Sequence, residues 1–261
     1  MSHIFIAPAG YTLEHANPFT SDGKYDRSWT ILTIDENVRG SILQQRSPYG
    51  CYAVSMTPNY AFFPVLFADF IQYEIDHGRK IILVSRMTMN LNFKTHYRET
   101  SIRPSDSRLL VHSTTLASYE KIVADNLLKS PNRLRAEGVF VHPIGLEPLG
   151  EPDDYLDYIM FGTGGAGSEI VVNSRLRGSV NYDHLAPYTP QARLYFDGHK
   201  MVSDGIIIRN AAIMVFDSVS LEKYLLKTVT ADDLQLPNGD SFWTPFSFSK
   251  AADDLMQNFI A

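Results

Sequence analysis

The sequence predicts an α+β fold, on three observations. After residue 100, short strand-like runs outnumber long helical ones. These runs follow one another without the regular strand–helix alternation of a doubly wound sheet. Apolar residues make up 44% of the 261 residues and charged residues 20%, ordinary globular usage that can bury a sizeable core. The length allows one large domain or two small ones.

Taken in order, Trp29-Thr30-Ile31-Leu32-Thr33-Ile34 alternates apolar and polar residues, as a strand does. Cys51 to Met56 is a second strand, bounded by Pro48 and Pro58. Ala61 to His77 reads as an aromatic-rich helix stopped by Gly78, and Lys80 to Val84 as a buried strand. The polar stretch from Asn90 to Arg108 is a long connection, which divides the chain into an N-terminal α+β segment, 1–108, and a second domain, 109–261. Leu109 to His112 is a strand. Ser113, Thr114 and Thr115 supply N-cap candidates for a helix from about Leu116 to Leu128, whose apolar residues recur at helical spacing. Further strands are expected at Val139–His142, Arg193–Asp197, Ile206–Ile208 and Ala211–Phe216. A helical turn is expected at His199–Ser203 and a short helix at Leu221–Leu226.

Composition excludes several function classes. With 23 basic against 29 acidic residues, total charge does not drive coating of a nucleic acid, although a local basic pocket remains open. No run reaches 18 consecutive apolar residues, so no membrane span is expected. The opening Met1-Ser2-His3-Ile4-Phe5-Ile6 lacks a basic region and a long apolar core. The single cysteine, Cys51, in an apolar strand, makes no intrachain disulfide and reads as an inert buried thiol. A reducing cytoplasm fits both. Asp183-His184 and Asp197-Gly198-His199 carry ligand-type side chains. Neither is supported by an HExxH or by paired histidines at helical spacing, so no metal site is expected.

Gly162-Thr163-Gly164-Gly165-Ala166-Gly167 matches GxGxxG after a possible strand, Tyr158–Phe161. A dinucleotide fingerprint requires a helix to begin there. The continuation Glu169-Ile170-Val171-Val172 favours a strand, so the motif reads as a glycine loop, a flap over a site. No lysine follows in P-loop register, and no GxSxG elbow occurs.

Two segments together are more specific. Val111-His112-Ser113-Thr114 leads into a helix, and Arg193-Leu194-Tyr195-Phe196-Asp197-Gly198-His199-Lys200 runs on to Asp204-Gly205-Ile206. In this order they resemble the catalytic domain of the RNA 2′-phosphotransferases, a branch of the ADP-ribosyltransferase superfamily. In that family a strand ending in His-Gly-Thr precedes a helix, and a later strand enters Asp-x-x-Lys-x-x-x-Asp-Gly-Ile. The resemblance covers about 109–145 and 190–226, with Ser113 standing where the family has glycine.

The resemblance implies a split antiparallel sheet and NAD as co-substrate. It also implies transfer of ADP-ribose, with loss of nicotinamide, to a nucleic acid, a protein or an RNA 2′-phosphate. His112, Ser113 and Thr114 are then expected at the nicotinamide riboside, and Arg133, Arg135 or Arg193 at phosphates, which planar guanidinium groups grip bidentately. Arg175 and Arg177 flank the glycine loop. Glu169 is the candidate catalytic carboxylate for activating an acceptor hydroxyl, beside His112 and Arg193.

Plainer readings stand beside these. Asp197, Lys200 and Asp204 also read as caps and braces of a short helix with Gly205 its C′ residue, and Arg133 and Arg135 as a solvated face. The rivals for function are a non-catalytic nucleotide- or partner-binding module on a related fold, and an interaction protein whose Tyr60–Tyr73 aromatics form an oligomer interface.

Overall fold

In the computed structural model, residues 3–12, 16–38, 42–46, 50–85, 97–142, 152–210, 212–236 and 239–260 are described. The chain mixes α and β structure and forms two compact units. The first holds residues 1–98 with 149–155 and 209–211; the second holds 99–148, 156–208 and 212–261. Among the described residues no helix is long and apolar enough to cross a membrane.

The first unit contains β1 (Ile4–Ile6), β2 (Trp29–Ile34), β3 (Ile42–Arg46), β4 (Tyr52–Met56), α1 (Phe63–Asp76) and β5 (Lys80–Ser85). Its five-stranded sheet has the order β1-β5-β2-β4-β3, with only β3 antiparallel. The alternation in β2 predicts one buried face, yet both faces are covered. Leu32 and Ile34 pack with Phe63, Phe67, Phe70 and Ile71 of α1, while Trp29 and Ile31 pack with Cys51, Phe5, Tyr11, Phe19 and Tyr25. Thr30 is buried without penalty because its hydroxyl donates to Glu74 at 2.5 Å.

In α1, Pro64 presets the first turn, the apolar spacing i, i+4, i+7, i+8 faces the sheet, and Gly78 at φ +75° ends it. The aromatics of the Tyr60–Tyr73 segment are therefore mainly core: Phe63, Phe67, Phe70 and Tyr73 are all buried. These four side chains are spent on the interior of the unit, while Tyr60 stays exposed.

The second unit begins with β6 (Leu109–Thr114), α2 (Leu116–Asp125), β7 (Leu127–Lys129) and α3 (Pro131–Ala136). It continues with β8 (Tyr158–Phe161), α4 (Gly167–Arg177), β9 (Ala192–Asp197), α5 (Gly198–Ser203), β10 (Ile207–Asn210) and β11 (Ala212–Phe216). It closes with β12 (Ser218–Ser220), α6 (Leu221–Tyr224), β13 (Leu225–Val229) and α7 (Pro245–Ile260). Three small sheets result, ordered β13-β9-β6, β10-β11-β8 and β12-β7. An isolated antiparallel bridge between Val111 and Gly162 joins β6 to the residue following β8. The main core gathers Leu110, Ile159, Phe161, Leu194, Phe196, Met201, Val215 and Tyr224.

Several local expectations are corrected. The helix after β6 stops at Asp125, because Asn126 adopts the left-handed conformation and sends Leu127–Lys129 into a strand. Val139–His142 forms no strand: Gly138 at φ +75° ends α3, and Phe140 lies 82% exposed with no ladder beside it. Leu225 and Leu226 belong to β13 and not to the helix before it, since Leu225 pairs with Phe196 of β9 and Leu226 is the irregular position before Lys227 pairs with Tyr195. The β-branched run Ile170-Val171-Val172 lies inside a helix. Each such residue costs a helix only a few tenths of a kcal/mol. Here Val172 is buried against Tyr188 and Phe248, Glu169 occupies the first turn, Arg175 and Arg177 the last, and Gly178 closes the end. Tertiary packing thus overrides strand propensity.

The plainer reading of the second motif holds. Asp197 caps α5 by accepting the Lys200 amide at 2.9 Å, Asp204 receives Lys223 at 2.9 Å, and Gly205 at φ +72° follows the helix.

Candidate functional site

Strand β6 runs antiparallel to β9, with His112 opposite Leu194 and Ser113 opposite Arg193. Because side chains alternate across a strand, Val111 and Ser113 share one face and His112 shares the other with Leu110 and Thr114. The two faces have different chemistry.

On the first face lies a buried ionic cluster. Arg193 and Glu169 are both 0% exposed. Arg193 donates Nη1 to Glu169 Oε2 at 2.5 Å, Nη2 to Asp253 Oδ1 at 2.7 Å, and Nε to the Tyr195 hydroxyl at 2.7 Å. The other Glu169 oxygen accepts the Ser113 hydroxyl at 2.5 Å. Asp253 Oδ1 accepts the Tyr195 hydroxyl at 2.7 Å, and Oδ2 accepts the Gly165 amide at 2.9 Å. The cluster thereby ties β6, β9, α4, α7 and the glycine loop together. Burial works against charge on Arg193, but the negative charges of Glu169 and Asp253 and the bond to Glu169 outweigh it and raise the guanidinium above its usual value. Burial, with Asp253 beside it, likewise raises the Tyr195 hydroxyl and keeps it a donor.

This geometry corrects three expectations. Ser113 faces Glu169 and not the lip with His112. Arg193 has its three nitrogens committed to protein and no exposure to a phosphate. Glu169 has both oxygens bonded and no exposure, so it does not reach an acceptor hydroxyl; its place is structural.

The second face holds His112, half-buried, with Nδ1 3.2 Å from the Met160 carbonyl. A carbonyl only accepts, so Nδ1 carries the hydrogen and Nε2 presents a lone pair. The ring meets Phe161 edge-on, with centroids 6.0 Å apart. Burial pushes the imidazole down to about 4, the Met160 bond opposes this, and the Arg175 charge adds to it. His112 is therefore neutral at physiological pH.

The sign for stability follows. The unfolded chain takes up this proton near the ordinary value of 6.5 and the folded chain only near 4. Stability is full above 6.5 and falls as pH drops toward 4, by at most roughly 3 kcal/mol. Urea unfolding of the wild type and His112→Gln at pH 7 and pH 4.5 is expected to show a smaller acid loss in the variant. Equal losses would remove His112 from the acid response.

The glycine loop follows β8, the strand whose Met160 carbonyl holds His112. It is fastened to β6 at Val111, where Gly162 exchanges two backbone hydrogen bonds of 2.8 and 2.9 Å, and again through the bond of Ser113 to Glu169 of α4. Gly164 and Gly165 take φ +127° and +70°, conformations that side chains disfavour. The helix a GxGxxG motif requires does begin at Gly167, contrary to the strand expected there, but the preceding β8 lies in an antiparallel pairing with β11, not a parallel βαβ unit.

The remaining expected residues lie elsewhere or play other parts. Thr114 is buried beside Ala192 of β9, and Thr115 is the N-cap of α2, accepting the Ser118 amide at 3.2 Å. Arg133 bridges Glu137 and Asp217 at 2.7 and 2.9 Å, and Arg135 donates to Asn132 at 3.3 Å; both belong to the exposed α3 and not to the His112 face. Arg175, half-buried and lowered by desolvation, is the arginine whose charge reaches His112. Arg177 donates to the Pro187 carbonyl at 2.8 Å. Asp253 escaped sequence reasoning because an acidic residue on a C-terminal helix ordinarily reads as solvated surface. Among the described residues, no group of three or more His, Cys, Asp or Glu side chains is arranged to hold a metal ion.

Compared with protein-family models, with curated proteins and with solved structures, the chain finds no match.

Proposed function

We propose that the second unit is an ADP-ribosyltransferase-like domain that binds NAD, releases nicotinamide and passes ADP-ribose to a nucleic acid, a protein or an RNA 2′-phosphate. The observation that carries the reading is His112: a neutral imidazole inside strand β6, its Nδ1 held by the Met160 carbonyl so that Nε2 is left as an acceptor. Two antiparallel sheets that meet at the Val111–Gly162 bridge support the split-sheet architecture.

The residues present fit the dinucleotide. A neutral Nε2 accepts a ribose hydroxyl, which an imidazolium does not. Arg175 supplies positive charge for the pyrophosphate. NAD brings a glycosidic bond whose cleavage builds positive charge on the ribose and leaves neutral nicotinamide. With Glu169 closed in its ion pair, His112 and Arg175 act by holding and orienting the dinucleotide, and Glu169 takes no proton from an acceptor. His112 fixes the ribose, and the glycine loop closes over it and excludes water.

Purified protein is expected to release nicotinamide from NAD. His112→Ala should lower kcat/KM at least about tenfold, the loss of roughly one hydrogen bond to substrate. Absence of release, together with no thermal stabilisation by NAD, would overturn the reading. Because Glu169 and Asp253 are both engaged in ion pairs with Arg193, a second reading is a binding module: NAD stabilises the fold and no nicotinamide appears.

A further inference from the structure

We propose that Asp253, on the C-terminal helix α7, is a positioning residue that latches the glycine loop against β6, the strand that carries His112. The proposal rests on the NAD reading above and assigns it a residue outside the two resembling segments. One carboxylate performs two tasks. Its Oδ1 accepts from Arg193 and Tyr195 at 2.7 Å each, while Oδ2 holds the Gly165 amide at 2.9 Å. The second bond lies at the tip of the loop, between the anchor at Val111 and the anchor at Ser113. Gly164 is matched to it, since a Cβ there would stand 3.3 Å from Oδ2. The Asp253 side chain is 27% exposed and Arg193 is not exposed at all, so the loop is fastened at its surface end to an immobile interior charge.

Loop immobilisation of this kind lowers the entropy lost when a ligand is enclosed, so its removal weakens binding more than turnover. Asp253→Asn separates the two tasks. Its one remaining oxygen turns toward the cationic Arg193, because the alternative sets an NH2 group against a guanidinium. The NH2 then faces the Gly165 amide, two donors together, and the latch opens while the interior contact persists.

The experiment is steady-state nicotinamide release from NAD by the wild type, Asp253→Asn, Gly164→Ala and the same-helix control Asp254→Asn. Asp254 is exposed and pairs only with Lys250 at 2.6 Å. Asp253→Asn is expected to raise KM for NAD about tenfold with kcat within about twofold. Gly164→Ala, which distorts the loop and crowds the Oδ2 end of the same carboxylate while leaving Oδ1 to Arg193 and Tyr195, should do the same, and Asp254→Asn should match the wild type. A fall in kcat that follows the folded fraction at unchanged KM would make Asp253 merely structural and overturn the proposal. Should Asp253→Asn fail to fold, an unchanged KM in Gly164→Ala overturns it equally. If the wild type neither binds NAD nor releases nicotinamide, the functional reading falls by itself. Amide hydrogen exchange over 163–167 in the wild type and Asp253→Asn then judges the latch: faster exchange in the variant supports it, and equal exchange overturns it.

Discussion

Arg193→Ala is expected to lower the stability of the second unit by about 3–5 kcal/mol, the largest effect of any single side-chain truncation in this unit. The residue is unexposed and bonded on three nitrogens. Its removal leaves Glu169 buried with a negative charge and only the Ser113 hydroxyl to meet it, beside a void of guanidinium size. At about 2–4 °C per kcal/mol, the thermal transition should drop by roughly 10 °C.

Glu169→Gln combined with Arg193→Met is the informative partner, because it removes both members of the buried pair at once and fills the space. Asp253, 27% exposed, is then left to solvent. The double variant should recover part of the loss, since an unpaired buried charge costs more than an absent pair. Urea unfolding of the wild type, Glu169→Gln, Arg193→Met and the double variant gives the coupling. If Arg193→Ala lies within about 0.5 kcal/mol of the wild type, the cluster does not hold β6, α4 and α7 together as described.

Gly198→Ala is the second large effect. A Cβ at this position would stand 2.3 Å from the Ser107 carbonyl oxygen and 2.9 Å from Leu110 Cγ, closer than atoms pack. Neither neighbour is the end of a flexible side chain. The Gly198 amide is itself bonded to the Arg108 carbonyl at 2.8 Å, so the junction of β9 and α5 is pressed directly onto the chain entering β6. A loss of about 3 kcal/mol is expected, read as a lower urea midpoint. Gly167→Ala, at the start of α4, is the control, with nothing within 4 Å and no positive φ. It should stay within about 0.5 kcal/mol or stabilise slightly. Equal behaviour of the two variants would mean that the close approach at Gly198 is not rigid.

What was readable without the structure follows from local rules. The α1 helix declared itself through apolar spacing and Gly78, and β6 with the start of α2 through a strand run followed by hydroxyl residues, of which Thr115 is the cap. The short helix α5 was legible from Asp197, Lys200, Asp204 and Gly205, whose roles are decided within a few residues of one another. His112 could be singled out because it lies in a strand run beside small polar residues, although the strand continues to Thr114 and does not end at the histidine.

The failures share one cause. Ile170-Val171-Val172 carries strand propensity worth tenths of a kcal/mol per residue, and burial of Val172 with the caps of α4 outweighs it. Ser113, Arg193 and Glu169 looked like ligand-facing groups because their residue types suit that work. Which face of β6 and β9 each one occupies depends on pairing and on what packs above. There Glu169 lies 24 residues from Arg193, and Asp253 lies 60 residues away. By itself the sequence determined the secondary elements with local signals, the mixed α and β character and the placing of His112 in a strand. Only the tertiary structure decided that the charged residues beside it close on one another, since desolvation forbids a buried charge to stand alone and the partner is set by the fold.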